Sequence, residues 1–357
     1  MNIFRTQSHV HKPDIGYKSK TPCGLSAKLL AGFFTAILVY FFAFFLSEND
    51  ISKTLILILS GTFIFNAFQI ISFDFQAQVK SKYPSIISFL VTLILNVLKI
   101  FVIISGKGVI YLAFILLLES VLYAVFYWYF YEKKTEGKIF EWKFNKLTAI
   151  NLLKDSWPVM FNSAFVVIFS RIDQIFIKNM MDVHSVGIYS SAVTVAEAWY
   201  FIPFLIISSL FPAIINAKKT SEELYDARLK KLTILLFWLS TGICILTTIL
   251  APLVMQILYG SAFSSGIIIL QIYVWSNIGV ALSMLASHYL VTENYRKIII
   301  ATSFLTMICN VILNIIWIPK YGIVGSAFAT LISSFVGLIT LMFFKQTREK
   351  ILTIFKI

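Results

Sequence analysis

Six ionisable residues of this sequence lie inside long apolar runs, where charged groups are rare. They are Lys99, Glu119, Arg171, Asp173, Glu197 and His288. A charge in hydrocarbon costs about 3 kcal/mol or more, so such residues either pair with one another or serve a transport function. Bases in this setting can hold an anionic group, and acids can neutralise those bases or carry a coupling proton. These six are the candidate functional residues.

The positions of the acids and bases predict two ion pairs. A helix rises about 1.5 Å per residue, which places Lys99 and Glu119 at similar depths on neighbouring antiparallel helices. Arg171 and Glu197 also fall at similar depths, with Asp173 close by in the sequence. We therefore predict a Lys99 to Glu119 pair and an Arg171 to Glu197 pair. Each could be a structural lock or part of a substrate or ion site.

Amide side chains add polar groups inside the same runs. They are Asn66, Gln69, Asn96, Asn162, Asn277, Asn310 and Asn314. Helix packing is the favoured role for each one, because interhelical hydrogen bonds are common in membrane bundles, and their number indicates a hydrated interior. His288 lies near the inner end of its run, which favours a hydrogen-bonded histidine near the membrane surface over a site residue.

The elements that carry these residues are membrane spans. Of 357 residues, 59% are apolar and 13% are charged, whereas soluble domains carry about 25% charged residues. Runs of about 20 apolar residues, each long enough to cross the bilayer as a helix, recur along the chain. We predict an all-α polytopic protein with ten spans: 26–46, 54–73, 85–105, 109–131, 156–178, 186–212, 232–258, 264–291, 298–318 and 322–344. Pro203 and Pro252 predict kinks within spans.

The distribution of Lys and Arg sets the topology. Of the 30 Lys and Arg residues, 24 fall in the terminal segments and connectors on one side of the membrane. Four fall in connectors on the opposite side: Lys53, Lys107, Lys178 and Lys320. The other two, Lys99 and Arg171, lie within spans. Because cytoplasmic connectors carry the basic excess, both termini are predicted to be cytoplasmic. The net charge of +13 thus reports topology, and no nucleic acid partner is expected.

Other site types are disfavoured by the sequence. The three cysteines are scattered without metal-ligand spacing, so we expect neither a metal site nor a disulfide framework. Without a Gly-rich phosphate loop or a trustworthy Ser/His/Asp order, we assign no catalytic residues, no cofactor and no enzyme activity. The inner connector 132–155 is either a short amphipathic surface helix, with Leu147, Ile150 and Leu153 at helical spacing, or a solvated linker.

An internal repeat predicts the architecture. Residues 108–120 (GVIYLAFILLLES) align without gaps to residues 322–334 (GIVGSAFATLISS), an offset of 214 residues. The first three spans overlie the seventh to ninth at that offset. The repeat unit is then six spans in the same orientation, as in transporters with parallel repeats and a substrate path between them. We predict an incomplete four-span bundle in 1–142 and a complete six-span bundle in 143–357.

Several stretches resemble a known family. They include LLKDSWPVMFNSAFVVIFSRIDQIFI (152–177), VGIYSSAVTVAEAWYFIP (186–203) and SSLFPAI (208–214). The chain resembles the Wzx-type polysaccharide flippases, the polysaccharide-transporter branch of the superfamily that contains the MATE drug exporters. The family's first two helices are not matched, which indicates a misassigned start codon or a truncation.

The resemblance implies a flippase that moves an isoprenoid-diphosphate-linked oligosaccharide across the bacterial cytoplasmic (inner) membrane by alternating access, for O-antigen or capsule synthesis. Its partners would be this lipid-linked substrate, membrane lipids, and polysaccharide polymerase and chain-length proteins. Arg171 and Lys99 would bind the diphosphate or acidic sugars, and Glu119, Asp173 and Glu197 would pair with these bases or couple ions.

Three alternatives stay open at this point. A MATE-like exporter of cationic drugs needs acids without paired bases, which the positions of Lys99 and Arg171 disfavour. A membrane-embedded glycan polymerase or ligase would need a sizeable outward loop, whereas the predicted outer connectors have about seven residues or fewer. The chain could also be an inactive truncated fragment.

Overall fold

The computed structural model describes residues 20–46, 50–77, 80, 82–134 and 146–354. Regular secondary structure in these ranges is helical throughout, which confirms the predicted all-α class. In chain order the α-helices are α1 Lys20–Leu46, α2 Asp50–Phe65, α3 Ile70–Ala77, α4 Lys82–Ile104, α5 Val109–Lys134, α6 Lys146–Met180, α7 Val183–Glu197, α8 Phe201–Lys218, α9 Glu222–Tyr259, α10 Gly266–Tyr273, α11 Ser276–Thr292, α12 Arg296–Leu341 and α13 Lys345–Ile354.

The helical segments have the lengths that a bilayer requires. Within the described residues, nine helical segments are long and apolar enough to cross a membrane. One of them, α12, has 46 residues and would be about 69 Å long if it were straight, more than twice a hydrocarbon core. Gly322 divides it, with φ 60° and ψ −144°. Each part of α12 is long enough for a crossing of its own, so the nine candidate segments of this multi-pass protein can accommodate the ten predicted spans.

Glycine and proline set the interruptions. The backbone of Gly322 has a positive φ that residues with a Cβ rarely adopt, so it can end one helix and begin the next. A 3-10 turn, Ala198–Tyr200, separates α7 from α8 within one turn of Pro203. This interruption agrees with the kink predicted at Pro203, because proline cannot donate the helical hydrogen bond. In contrast, α9 continues through Pro252 as one helix.

The chain forms two compact units, Met1–Asp155 and Ser156–Ile357. The core of the first unit contains buried Ile71 and Phe75 from α3 and Val91 and Leu95 from α4. In the second unit the core is larger and includes buried side chains of α7 to α12. Large apolar side chains such as Phe34 on α1 stay exposed, as expected where lipid is the solvent.

The division between the units falls inside α6, which begins at Lys146 and runs without a break to Met180. Residues 146–155 are therefore helical, and the solvated linker that we considered is wrong for this stretch. The part of the connector at 135–145 lies outside the described residues. Helix extension adds one hydrogen bond for each residue fixed, so an apolar span can extend into a polar segment that lacks a breaker.

Candidate charge sites within the membrane spans

The first site joins α4 to α5. The Nζ of Lys99 lies 3.2 Å from Oε2 of Glu119, so the predicted contact is confirmed. The two side chains keep 31% and 29% of their surface exposed, and the pair is therefore partly rather than fully buried. Each charge removes much of the cost of the other inside the membrane span. The functional role of the pair stays a prediction.

The second site joins α6 to the end of α7. Nη2 of Arg171 lies 3.1 Å from Oε2 of Glu197, which confirms the second predicted pair. The other oxygen of Glu197 accepts a hydrogen bond of 3.3 Å from the hydroxyl of Tyr273 on α10. The Glu197 side chain is 17% exposed, whereas that of Arg171 is 53% exposed. The carboxylate is thus held by two partners, and only one guanidinium nitrogen of Arg171 makes this contact.

Asp173 has a different environment from the two paired acids. It is 1% exposed. One carboxylate oxygen accepts a hydrogen bond from the hydroxyl of Tyr189 on α7, and the other accepts one of 2.9 Å from the backbone amide of Gln174. In the part of the chain that the structure describes, no salt bridge reaches this carboxylate. Asp173 is therefore a buried acid that neutral donors stabilise.

A buried amide and hydroxyl cluster occupies the two parts of α12. Asn310 donates to the hydroxyls of Thr330 and Ser333, both at 3.2 Å. Asn314 donates to the backbone carbonyl of Asn310 at 2.9 Å and accepts from Ser326 at 2.7 Å. These bonds hold the segment before Gly322 against the segment after it. The predicted helix-packing role is confirmed for both asparagines.

Two more of the predicted amides and the histidine also have partners. Asn162 on α6 accepts a hydrogen bond of 2.6 Å from Ser303 on α12. Asn277 donates to a backbone carbonyl of α7 at 3.1 Å. His288 lies with Nδ1 2.9 Å from the carbonyl oxygen of Met284 and with its ring edge-on to that of Phe211. The prediction of a satisfied histidine is therefore confirmed.

Sequence reasoning missed the tyrosines of these sites. Tyr189 and Tyr273 are fully buried, and their hydroxyls complete the hydrogen bonding of Asp173 and Glu197. Tyr273 lies well inside the predicted span 264–291, away from the ends where tyrosine ordinarily anchors at the membrane surface, whereas Tyr189 lies in the first two turns of α7. A buried tyrosine needs a partner for its hydroxyl, and this was the available signal. Among the described residues no cluster of three His, Cys, Asp or Glu could hold a metal ion.

The comparison with known families decides the assignment. Residues 21–218 match the model of a family described as polysaccharide biosynthesis protein. The chain belongs to this family. The match begins in α1 and ends with α8, so it includes both ion pairs and Asp173.

A curated relative and a solved structure are similar to this chain. It is 23% identical over 336 residues to the capsular polysaccharide biosynthesis protein CapF of Staphylococcus aureus, an alignment that covers 90% of this chain and 81% of CapF. Its fold is similar to that of an inward-facing multidrug resistance MATE family transporter of the MOP superfamily, with a TM-score of 0.78, 13% identity, and coverage of 95% and 83%.

A second solved structure supports the same fold. The lipid II flippase MurJ, in an inward closed conformation, matches with a TM-score of 0.69 and 18% identity over 94% of this chain and 74% of MurJ. At these identities the structural matches show the fold and leave the substrate open. The protein therefore has the fold of MOP-superfamily transporters, and it belongs to a polysaccharide biosynthesis family.

Proposed function

We propose that this protein is a flippase that moves an isoprenoid-diphosphate-linked oligosaccharide from the inner to the outer leaflet of the bacterial cytoplasmic membrane. Alternating access would expose the substrate path to one side at a time. The proposal is supported by the family assignment, by the capsular role in the name of CapF, and by the lipid substrate in the name of MurJ. Both termini would be cytoplasmic, as the basic connectors predict.

The chemical groups of the proposed substrate determine which side chains the protein must provide. A hydrated saccharide with a diphosphate cannot enter hydrocarbon without losing its hydrogen bonds to water, and each unsatisfied polar group costs several kcal/mol. A flippase for this substrate needs polar side chains within the spans and at least one accessible base for the diphosphate. A lipid-linked repeat unit delivered to the outer leaflet would then be available to a polysaccharide polymerase and chain-length proteins.

The observation that carries the proposal is the half-exposed side chain of Arg171 within α6, paired to Glu197 through one guanidinium nitrogen. Glu197 engages one guanidinium nitrogen, while an arginine has five donors arranged to grip a phosphate in bidentate fashion. The pair can therefore exchange one anionic partner for another: Glu197 neutralises Arg171 in the empty state, and a diphosphate takes its place in the loaded state. Lys99 and Glu119 form a second pair in which an anionic group of the substrate could replace the carboxylate as the partner of the base.

Asp173 is the proposed coupling group. A buried carboxylate that is stabilised by a tyrosine and a backbone amide, without a salt bridge among the described residues, can gain or lose a proton or cation more readily than one locked to a base. Because Asp173 lies two residues beyond Arg171 on α6, a change of its charge would act on the same helix that carries the proposed anion-binding base.

The test is restoration of surface polysaccharide in cells that lack the chain, with each variant at normal protein level. We expect Arg171→Ala and Glu197→Gln each to reduce the polysaccharide at least tenfold. Lys178→Ala is the matched control, because Lys178 is an exposed base on the same helix, and it should leave the amount unchanged. Unchanged polysaccharide in both test variants would refute the proposed site.

A separate outcome tests the function itself. If deletion of the chain leaves surface polysaccharide intact but increases sensitivity to cationic drugs, the flippase proposal is wrong and drug export takes its place. We expect the opposite result, a loss of polysaccharide with unchanged drug sensitivity, because both candidate bases lie in contact with acids.

A further inference from the structure

Four helix ends meet at one end of the second unit. The Nζ of Lys218, the last residue of α8, lies 2.6 Å from Oε1 of Glu293, which directly follows α11. The Nζ of Lys350 on α13 lies 2.6 Å from Asp226 in the second turn of α9. Both ammonium groups also lie over the ring of buried Tyr225, at 5.4 and 5.2 Å from its centroid. These contacts join the ends of α8, α9, α11 and α13 into one surface, at the end that the basic connectors predict to be cytoplasmic.

A second set of bases at this end is exposed. They are Arg228, Lys231, Arg296, Lys297, Lys345 and Arg348. Among the side chains that the structure describes, no acid forms a salt bridge with any of the six. Arg228 donates one hydrogen bond of 3.0 Å to the carbonyl oxygen of Ala213. These exposed bases therefore keep donors and positive charge for an anion from outside the chain.

The acids at this end whose side chains the structure describes are engaged elsewhere or lie farther from the membrane. Glu222, Asp226 and Glu293 each contact one of the two lysines that lie over Tyr225. Glu223, in the first turn of α9, is exposed nine residues before the predicted span 232–258. The paired lysines thus neutralise the inner acids, and the exposed bases carry the excess positive charge of the surface.

The exposed bases lie at the depth of lipid headgroups. Each of the six is within four residues of the nearest end of a predicted span, 232–258, 298–318 or 322–344. Four residues correspond to about 6 Å along a helix, and the headgroup layer is about 5 to 8 Å deep on each side of the hydrocarbon. Because successive spans cross in opposite directions, the starts of the first two of these spans and the end of the third lie on the same side. The six bases therefore lie where phospholipid phosphates are found.

The turn between α12 and α13 combines this charge with exposed apolar side chains. Phe343 is 82% exposed and Met342 is 42% exposed, whereas the neighbouring Phe344 packs against the core. Both exposed side chains belong to the last three residues of the predicted span 322–344. On α13, Lys345 and Arg348 are three residues apart, which places them on the same side of the helix. Apolar side chains next to bases at headgroup depth are typical of a segment that binds the membrane surface.

We propose that this end of the second unit binds the headgroups of anionic phospholipids, with Lys345 and Arg348 as the principal site and Phe343 against the acyl chains. A guanidinium can bind two oxygens of one phosphate, and an ammonium adds a compact charge. A base near an anionic membrane surface increases affinity about fivefold. The exposed phenylalanine favours a lipid over a soluble anion, because a soluble anion offers it no apolar partner. This site lies outside the proposed transport machinery, so it does not depend on the flippase assignment.

The test measures lipid binding to the purified full chain by native mass spectrometry, with phosphatidylglycerol and phosphatidylcholine of the same acyl chains as probes. We expect the unaltered protein to bind phosphatidylglycerol about tenfold more tightly than phosphatidylcholine. The double variant Lys345→Gln with Arg348→Gln should lose this preference, because two bases are removed from the headgroup layer. The matched control, Lys178→Gln with Lys320→Gln, removes two exposed bases from the opposite end of the second unit and should keep the preference.

Three results would overturn the proposal. Equal affinity for the two lipids shows that no anionic headgroup is selected, and equal losses in the two double variants show that net charge alone decides binding. Displacement of phosphatidylglycerol by inorganic phosphate identifies a site for a soluble anion instead.

A measurement on the unaltered protein does not depend on how the variants fold. A photoreactive phosphatidylglycerol should label residues 342–348, and excess phosphatidylglycerol, but not phosphatidylcholine, should suppress this label. Absence of label in that segment refutes the site. Each of these failures leaves the proposed flippase function as it stands, because none of the residues tested belongs to the charge pairs within the spans.

Discussion

Arg171 on α6 and Glu197 at the end of α7 are joined through Nη2 and Oε2 at 3.1 Å, yet their surroundings differ. The carboxylate is largely enclosed and also accepts from Tyr273, whereas about half of the guanidinium side chain is exposed. An enclosed charge that loses its partner cannot recover hydration as an exposed one can. The loss of one partner should therefore change the free energy of unfolding by a different amount from the loss of the other.

Removal of Arg171 should cost more stability than neutralisation of Glu197. Arg171→Met leaves the enclosed carboxylate with the tyrosine hydroxyl, while Glu197→Gln keeps an acceptor for Tyr273 and leaves a guanidinium that can be hydrated. We expect the arginine variant to be less stable by about 1 kcal/mol than the glutamine variant. Thermal unfolding in detergent, with the double variant to close the cycle, measures this difference. Equal losses for the two single variants would contradict it.

Variants of Asp173 and Tyr189 should affect folding stability and transport to different extents. Asp173→Asn can accept from the Gln174 backbone amide with its oxygen and donate to the Tyr189 oxygen with its NH2 group. We therefore expect nearly unaltered unfolding but a strong loss of transport if the carboxylate carries the coupling charge. Tyr189→Phe leaves a buried oxygen of Asp173 short of a donor, which should cost about 1 to 3 kcal/mol. Unfolding and flipping are measured on the same preparations. Full transport by Asp173→Asn would remove the coupling role.

Two glycines provide a matched test of helix packing. A Cβ at Gly279 on α11 would lie 2.5 Å from the Oγ of Ser334 and 2.8 Å from its carbonyl oxygen, whereas one at Gly242 on α9 would meet nothing within 4 Å. We expect Gly279→Ala to destabilise the protein by about 1 to 3 kcal/mol. Gly242→Ala should stabilise it by up to about 1 kcal/mol through helix propensity. Chemical or thermal unfolding measures both, and a neutral Gly279→Ala would show that these helices pack more loosely.

Lys350 on α13 should make stability depend on pH in the alkaline range. Its Nζ lies 2.6 Å from Asp226 and 3.0 Å from Glu222. Burial lowers the pKa of Lys350, but the hydrogen bonds and charges of the two acids outweigh burial and raise its pKa above the usual value of 10.5. Because the folded state binds this proton more tightly, the stabilisation is complete below pH 10.5 and is lost as the pH rises through the higher pKa.

Unfolding midpoints of the unaltered protein and Lys350→Met measure this contribution. We expect a difference of about 1 kcal/mol that is constant from pH 6 to 9 and narrows above pH 10.5. Lys345→Met is the control, since Lys345 is an exposed base on the same helix, and it should show little difference at any pH. If the difference in unfolding midpoint between the unaltered protein and Lys350→Met became smaller toward neutral pH, the proposed contribution of the Lys350 ion pairs would be wrong.

Contacts between helices that follow each other in the chain could be predicted from the sequence. The connector between α4 and α5 is short, so the depth of Lys99 and of Glu119 could be counted along two antiparallel helices, and the ion pair follows from that count. The same argument led to Arg171 and Glu197. The all-α, multi-pass class could also be predicted, because a bilayer requires long apolar helices whatever the tertiary arrangement is.

Contacts between helices distant in the sequence were decided by the tertiary structure alone. Tyr273 reaches Glu197 across 76 positions, and Ser303 reaches Asn162 across 141. Such contacts depend on which helices are neighbours and on the rotation of each helix about its axis, and apolar periodicity determines neither when lipid and protein interior are equally apolar. The sequence by itself therefore determined the spans, the breaks and the local ion pairs, while packing selected the tyrosines that complete the acidic sites.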